Sequence, residues 1–328
     1  MSSSDTEIQP VPVNASALSA STPERCPICQ AKETRHFLSA PDRFHLRTDQ
    51  YDLQECRACE SVWLSNPPRP EEMGSHYGEG YHQAIVQAGE DDTDLRWIKH
   101  RTQICRFKSG GAILDIGCSS GAFLGTMKSD QWYLFGIELQ ESTAARARSK
   151  TGATVFVGDA LAAPFPPESF DVVTCFDLIE HVHVPVALLK QIRRWLKPNG
   201  ILYIMIPNVD SWESSLFRSY WYGLELPRHL FHFSPRSLRR MLRAAGFHER
   251  LLKTSSVSYI ERSSNYVWSR FIGRLGLSPT PQSVLKRSPL PWRAARKLMR
   301  LFLIAPFGWL ASLCGAGASQ VAVFKRVD

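Results

Sequence analysis

The amino-acid sequence predicts an α/β protein with a doubly wound, seven-stranded sheet. A small cysteine-bearing module precedes the sheet and a helical insert interrupts it near the end. Three observations carry this expectation. The first is Ala112–Leu124, AILDIGCSSGAFL, where a short apolar run enters a turn holding Asp115, Gly117 and Gly121 and leaves it as a helix. Strand, tight glycine turn and helix make the first half of a βαβ unit, and open α/β sheets bind ligands beyond the carboxyl ends of such strands. The second is the succession of apolar strands Trp132–Glu138, Ala153–Val157, Phe170–Phe176 and Ile201–Ile206, separated by helix-patterned stretches. Apolar runs alternating with helical periodicity are the pattern of a sheet covered on both faces. The third is a pair of knuckles, Cys26-Pro27-Ile28-Cys29 and Cys56-Arg57-Ala58-Cys59.

Taken in order, residues 1–22 are rich in Ser, Ala, Pro and Thr and predict a disordered tail. Residues 23–70 form a zinc-ribbon-like module. Cys26, Cys29, Cys56 and Cys59 supply four thiolates, the set a closed tetrahedral zinc site requires, and a full protein ligand set leaves no open position for catalysis. A redox dithiol would want a knuckle opening a helix beside a βαβ unit, and neither knuckle stands there. Asn66–Pro70 is a stiff linker into residues 71–109, a helical linker or cap that carries Tyr77 and Tyr81. The core is then expected over 110–262 plus 318–328. It includes the helix Val184–Leu196, a Lys197–Gly200 turn before the fifth strand, and late strands His248–Ser256 and Ser319–Lys325. Residues 263–317 are left as a basic and apolar helical insert.

Length and composition agree with a globular chain: 328 residues, 44% hydrophobic and 21% charged. The net charge of +8 is unevenly spread, with sixteen Lys/Arg against Glu249 and Glu261 between Arg228 and Arg300. Such a face suits an anionic partner (a membrane surface, a phosphorylated substrate or nucleic acid) or is a merely solvated basic surface. No basic start followed by an apolar core marks a secretory signal. Cys105, Cys118, Cys175 and Cys314 are scattered thiols, so a reducing, cytoplasmic compartment is expected.

The glycine turn also suggests which ligand it serves. A dinucleotide fingerprint places a glycine where Asp115 stands, because bare backbone must approach a pyrophosphate. A carboxylate there repels a pyrophosphate but suits a ligand bearing an amine and a sulfonium. LDIGCSSGAFL resembles the first motif of class I S-adenosylmethionine-dependent methyltransferases, and so do FDLIEH after the fourth strand and LKPNGILYIMIPN around the fifth. The CPIC, CRAC and HYGEGYHQ segments resemble the zinc-binding module found ahead of members acting on sugars and small molecules. The resemblance spans about Cys26 to Phe247. It implies S-adenosylmethionine as cofactor, structural zinc, and tyrosines lent to the site by the module; Tyr77 and Tyr81 either face the cofactor or acceptor or pack the cap. Glu138, roughly twenty residues past the turn, is placed for the ribose hydroxyls. Asp159 is matched to the adenine amino group, and Cys118, Ala160 and Phe176 complete the expected cofactor set with Gly117 and Gly121.

The fourth strand adjoins the first, so its end opens onto the transferred methyl. His181 in FDLIEH is therefore the first choice of general base, with bracing of the loop as the alternative. His229 is the second choice, and Arg228 and His232 beside it in ELPRHLFHFS are further site candidates. The expected function is O-methylation of a small-molecule, glycan or lipid-linked acceptor. Two other readings stay open: an RNA methyltransferase, disfavoured because no Asn/Asp-Pro-Pro-aromatic motif follows the fourth strand, and a degenerate cofactor-binding scaffold. Residues 285–313 set basic residues beside an apolar run. Pro306, Gly308 and Gly315–Gly317 cut that run below the ~20 residues of a span, which leaves a buried helix or a peripheral membrane contact.

Overall fold

The computed structural model describes residues 25–45, 47–77, 93–255, 259–274 and 305–327. The expected tail, Tyr81 and residues 275–304 of the insert lie outside the described residues. The module contributes strands β1 (Thr34–Pro41), β2 (Gln50–Cys56) and β3 (Val62–Leu64). Helix α1 (Thr93–Cys105) leads into the core, which runs β4 (Gly111–Ile116), α2 (Ala122–Met127), β5 (Trp132–Glu138), α3 (Glu141–Thr151), β6 (Thr154–Val157), β7 (Phe170–Phe176), α4 (Pro185–Trp195) and β8 (Leu196–Pro207). There follow α5 (Trp212–Phe217), β9 (Phe231–His232), α6 (Pro235–Ala244), β10 (Phe247–Ser255), α7 (Ile260–Arg274), α8 (Ala305–Leu313) and β11 (Ser319–Arg326).

The large sheet has the order β10-β11-β8-β7-β4-β5-β6. β6, β5, β4, β7 and β8 pair in parallel, whereas β11 runs antiparallel to both its neighbours. β4 lies between β5 and β7, so successive strands are added first on one side of it and then on the other. The crevice at that switch is where an open α/β sheet receives its ligand. Ile113, Leu114, Val172 and Val173 are fully buried, as central parallel strands with both faces covered must be. α4 buries Leu188, Leu189, Ile192 and Trp195 on one stripe and starts on Pro185, whose missing N–H is no loss at the first turn.

Two features depart from the expectation. Lys197–Gly200 does not precede the fifth strand as a separate turn. β8 already pairs at Leu196 with Phe170, and the next pair is Val172 with Ile201, so Lys197–Gly200 loops out within the strand around left-handed Asn199 (φ 66°). The expected loop at 225–234 also contains β9, which leaves the core and pairs with β3 of the module, Val62 with His232 and Trp63 with Phe231. The small sheet is thus β1-β2-β3-β9.

Candidate active site

Two carboxylates frame the end of β4. Gly117 and Gly121 turn the chain there with φ of 75° and 77°, values an L-residue adopts only with strain. A Cβ on Gly121 would also come within 2.9 Å of Thr151 Cγ2, so the glycine lets α2 close on α3. Asp115 is buried, and the Thr174 hydroxyl donates to its Oδ1 at 2.7 Å. Burial and the nearby Glu138 charge push this carboxyl up to about 7, although the Thr174 hydrogen bond pulls the other way. No described cation pairs with it. Glu138, at the end of β5, is half-buried and held by two amides, Ser119 N–H to Oε2 at 3.0 Å and Gln140 N–H to Oε1 at 3.1 Å. This fixes the carboxylate while leaving lone pairs for a diol.

The remaining expected cofactor residues serve in different ways. Asp159 is exposed and accepts the Leu161 amide at 2.7 Å, capping the short turn that starts at Ala160. The Cys118 side chain packs on β5, where a Cβ on Gly136 would meet its Sγ at 2.6 Å, so only its backbone is left for a ligand. The Phe176 ring sits in an aromatic cluster beneath α1, 4.7 Å from Phe123, 5.0 Å from Trp97 and 5.2 Å from His100.

β7 ends at the second half of the site. Asp177 adopts a left-handed backbone (φ 47°) and pairs with Arg96 of α1 at 3.0 Å. A single helical turn, Ile179–His181, follows. His181 Nδ1 lies 3.0 Å from the Tyr77 hydroxyl and 3.0 Å from the Arg228 carbonyl. A carbonyl only accepts, so the proton sits on Nδ1 and Nε2 keeps its lone pair. Burial lowers the His181 pKa, partly countered by Glu225, the Arg228 carbonyl and Asp177. His229 packs edge-on at 4.5 Å between ring centres and donates from Nδ1 to the Gly223 carbonyl at 2.9 Å. Burial first, then the neighbouring His181 and His232, hold His229 well below the usual imidazole range. His232 donates from Nε2 to the Leu224 carbonyl at 3.0 Å, and burial lowers it to about 4.

Arg228 serves structure at its side chain and the site through its carbonyl. Its buried guanidinium reaches Asp42 Oδ2 at 3.4 Å, Glu225 Oε1 at 3.5 Å and the His76 carbonyl at 3.3 Å, tying the module to the core. Leu230 makes a second tie: the Leu64 amide of β3 donates to its carbonyl and its own amide donates to the Glu180 carbonyl, each at 2.8 Å. The module therefore connects through backbone to the turn that carries His181.

Two donor clusters could hold a metal ion. The Sγ atoms of Cys26, Cys29, Cys56 and Cys59 lie within 4.8 Å of one another, with Cys26–Cys59 at 3.6 Å and Cys29–Cys56 at 3.5 Å, far beyond the ~2.05 Å of a disulfide. The other is Glu180 with His181 and His229, one donor atom from each within 4.8 Å of the rest. Both Glu180 carboxylate oxygens are buried with no described hydrogen-bond partner, and burial together with Asp177 pushes this carboxyl well up. Sequence reasoning missed Glu180, Asp177, Thr174 and Arg96. Glu180 and Asp177 had a signal in their positions in FDLIEH; Thr174 is identified by its contact across the sheet with Asp115, and Arg96 by its ion pair with Asp177.

Comparison with known proteins adds sequence relationships. A family model described as a methyltransferase domain matches residues 92–250. A curated ubiquinone biosynthesis O-methyltransferase of Thiobacillus denitrificans is 30% identical over 165 residues, covering 46% of this chain and 69% of that protein. One from Pseudomonas fluorescens is 31% identical over 121 residues, covering 35% and 50%. The chain thus spans between half and about two thirds of the length of these two curated relatives. Among solved structures, a Thermotoga maritima protein described as a SAM-dependent methyltransferase, possible histamine N-methyltransferase, gives a TM-score of 0.48 at 19% identity, covering 76% of this chain and 96% of that one.

Proposed function

We propose that this chain, which belongs to the class I S-adenosylmethionine-dependent methyltransferases, methylates an oxygen of a small-molecule, glycan or lipid-linked acceptor with His181 as general base. Bound S-adenosylmethionine supplies an electrophilic methyl on a cationic sulfur. The chain's own residues hold that group, align the acceptor and take its proton. Asp115 is a buried carboxylate with no cationic partner among the described residues, which fits the positive methionyl end. Glu138, anchored by two amides, fits the ribose diol. Asp159 is assigned to the adenine amino group in this reading, and Gly117, Cys118 and Gly121 offer turn backbone.

The observation that carries the reading is the tautomer of His181. The Arg228 carbonyl and the Tyr77 hydroxyl hold its Nδ1–H, which leaves Nε2 with its lone pair in the turn that follows β7. With the cofactor bound, Nε2 would take the hydroxyl proton of the acceptor as its oxygen is methylated. A base is needed for an oxygen acceptor more than for an amine, and the two curated relatives are O-methyltransferases. The cysteine cluster holds structural zinc in this account. Four sulfurs about 2.3 Å from one ion lie about 3.8 Å apart, close to the 3.5 and 3.6 Å of the two pairs.

The test is transfer of labelled methyl from S-adenosylmethionine to phenolic, sugar and polyprenyl-linked hydroxyls by wild type and His181→Gln. The variant should bind cofactor normally and lose about 10²–10⁴ in kcat. Because burial lowers the His181 pKa, the wild-type rate should fall only as pH drops below the ordinary imidazole value of about 6.5. Unchanged turnover in the variant contradicts the assignment. A second reading rests on the unpartnered Glu180 carboxylate: Glu180, His181 and His229 bind a divalent cation that acidifies the acceptor hydroxyl. Activity lost to a chelator and restored by magnesium would favour it over the base.

A further inference from the structure

Fourteen large apolar side chains stay exposed among the described residues, and eight of them come from α5, α7 and α8. They include Trp268 and Phe271 on α7 and Phe307, Trp309, Leu310 and Leu313 on α8, all 49–64% exposed. Scattered exposed apolar residues need no explanation, but a contiguous set does. These helices are neighbours. Trp212 at the start of α5 packs edge-on against Phe307, 4.7 Å between ring centres. Glu213, the next residue of α5, accepts the Tyr259 amide just ahead of α7 at 2.7 Å. Leu216 of α5 is also exposed.

The charge on this face has one predominant sign. Arg262 lies over the Tyr222 ring at 4.6 Å and Arg270 near the Tyr220 ring at 5.8 Å; both are exposed and neither forms an ion pair with a described carboxylate. Glu213 is buried, which leaves Glu261 as the one exposed carboxylate on the described parts of the three helices. The same bias runs through the sequence, sixteen Lys/Arg against two acidic residues from Arg228 to Arg300. No described helix is long and apolar enough to cross a membrane.

We infer that the α5–α7–α8 face docks on an anionic lipid bilayer, with Trp268, Phe271, Trp309 and Leu310 at headgroup depth and Arg262 and Arg270 against lipid phosphates. Tryptophan and phenylalanine beside exposed arginines match the interfacial zone of a membrane in both polarity and charge. A second copy of the chain fits less well, because a two-fold contact through this face would set its arginines against their own copies. The docking goes beyond the methyl-transfer reading and stands whichever acceptor is used.

Sedimentation of the full chain with phosphatidylcholine vesicles, and with vesicles that also contain phosphatidylglycerol, tests it. The protein should pellet with the anionic vesicles and release as salt is raised. A Trp268→Ser, Phe271→Ser, Trp309→Ser, Leu310→Ser variant should lose about tenfold or more in partitioning, with cofactor affinity and melting temperature retained. Arg262→Gln with Arg270→Gln should remove the preference for phosphatidylglycerol. Absence of binding to anionic vesicles at low salt overturns the inference, as does equal binding by the quadruple variant. So does a concentration-dependent dimer in light scattering that the quadruple variant abolishes, because that assigns the face to a second copy.

Discussion

Asp42 accepts the Phe44 and His45 amides at 3.1 and 3.2 Å and meets the Arg228 guanidinium at 3.4 Å in a region closed to water. A buried ion pair owes its place to mutual compensation, and removing one member leaves the other charged and dry. Arg228→Leu should therefore destabilise the protein by about 3–5 kcal/mol in chemical denaturation. Adding Asp42→Asn should recover part of that loss, and simple additivity would contradict the pairing. The sequence singled out Arg228 as a possible acceptor contact because ELPRHLFHFS is dense in ionisable groups. Nothing local could assign it to the clamp, since its partner stands 186 residues earlier. His181 was singled out for a different reason: it stands in the short turn after an apolar strand, and open α/β sheets bind ligands beyond such strand ends. Its tautomer was not legible, because a backbone carbonyl 47 residues away sets it.

At the level of elements, β9 is the joint between the module and the chemistry. Its two residues pair with β3, and Leu230 just before it bridges Leu64 to Glu180. If the four cysteines hold zinc as proposed, its loss should loosen this joint, not the proposed cofactor cradle on β4 and β5. Cys59→Ser, or chelation of the purified protein, should lower acceptor turnover while cofactor affinity changes little, as kinetics and calorimetry on the same sample would show. Equal loss of both would mean that the module supports the whole fold. The long strands and α4 could be read from the sequence because continuous apolar runs and 3.6-residue periodicity extend over many residues. β9 could not, as two residues carry no period. The loop-out at Lys197–Gly200 was hidden as well, because Pro-Asn-Gly marks a turn equally well between elements or within a strand.

Over the whole molecule, the cofactor cradle is held at some expense in stability. The folded state raises the Asp115 pKa to about 7 from the ~3.9 of an unfolded aspartate. The folded protein thus binds more protons than the unfolded chain between those values, and this group's contribution to stability falls as pH rises from about 4 through 7. Asparagine does not titrate. Asp115→Asn should therefore stabilise the cofactor-free protein by a few kcal/mol above pH ~7 relative to wild type, with the gain vanishing toward pH ~4. Thermal melts of both proteins across that range check this, and a gain independent of pH would contradict it. The sequence carried this architecture well, since all seven strands of the large sheet and the four-cysteine cluster were marked in the chain. The exposed face of α5, α7 and α8 was only foreshadowed by the basic, apolar composition of the insert, because which residues a helix leaves uncovered depends on packing. The measurement that tests the account most directly is calorimetric titration with S-adenosylmethionine of wild type, Asp115→Asn and Glu138→Ala. Wild type should bind at one site, and each variant should bind about tenfold or more weakly as an ionic or paired hydrogen-bond contact is lost. No binding by wild type, or equal binding by both variants, would contradict it.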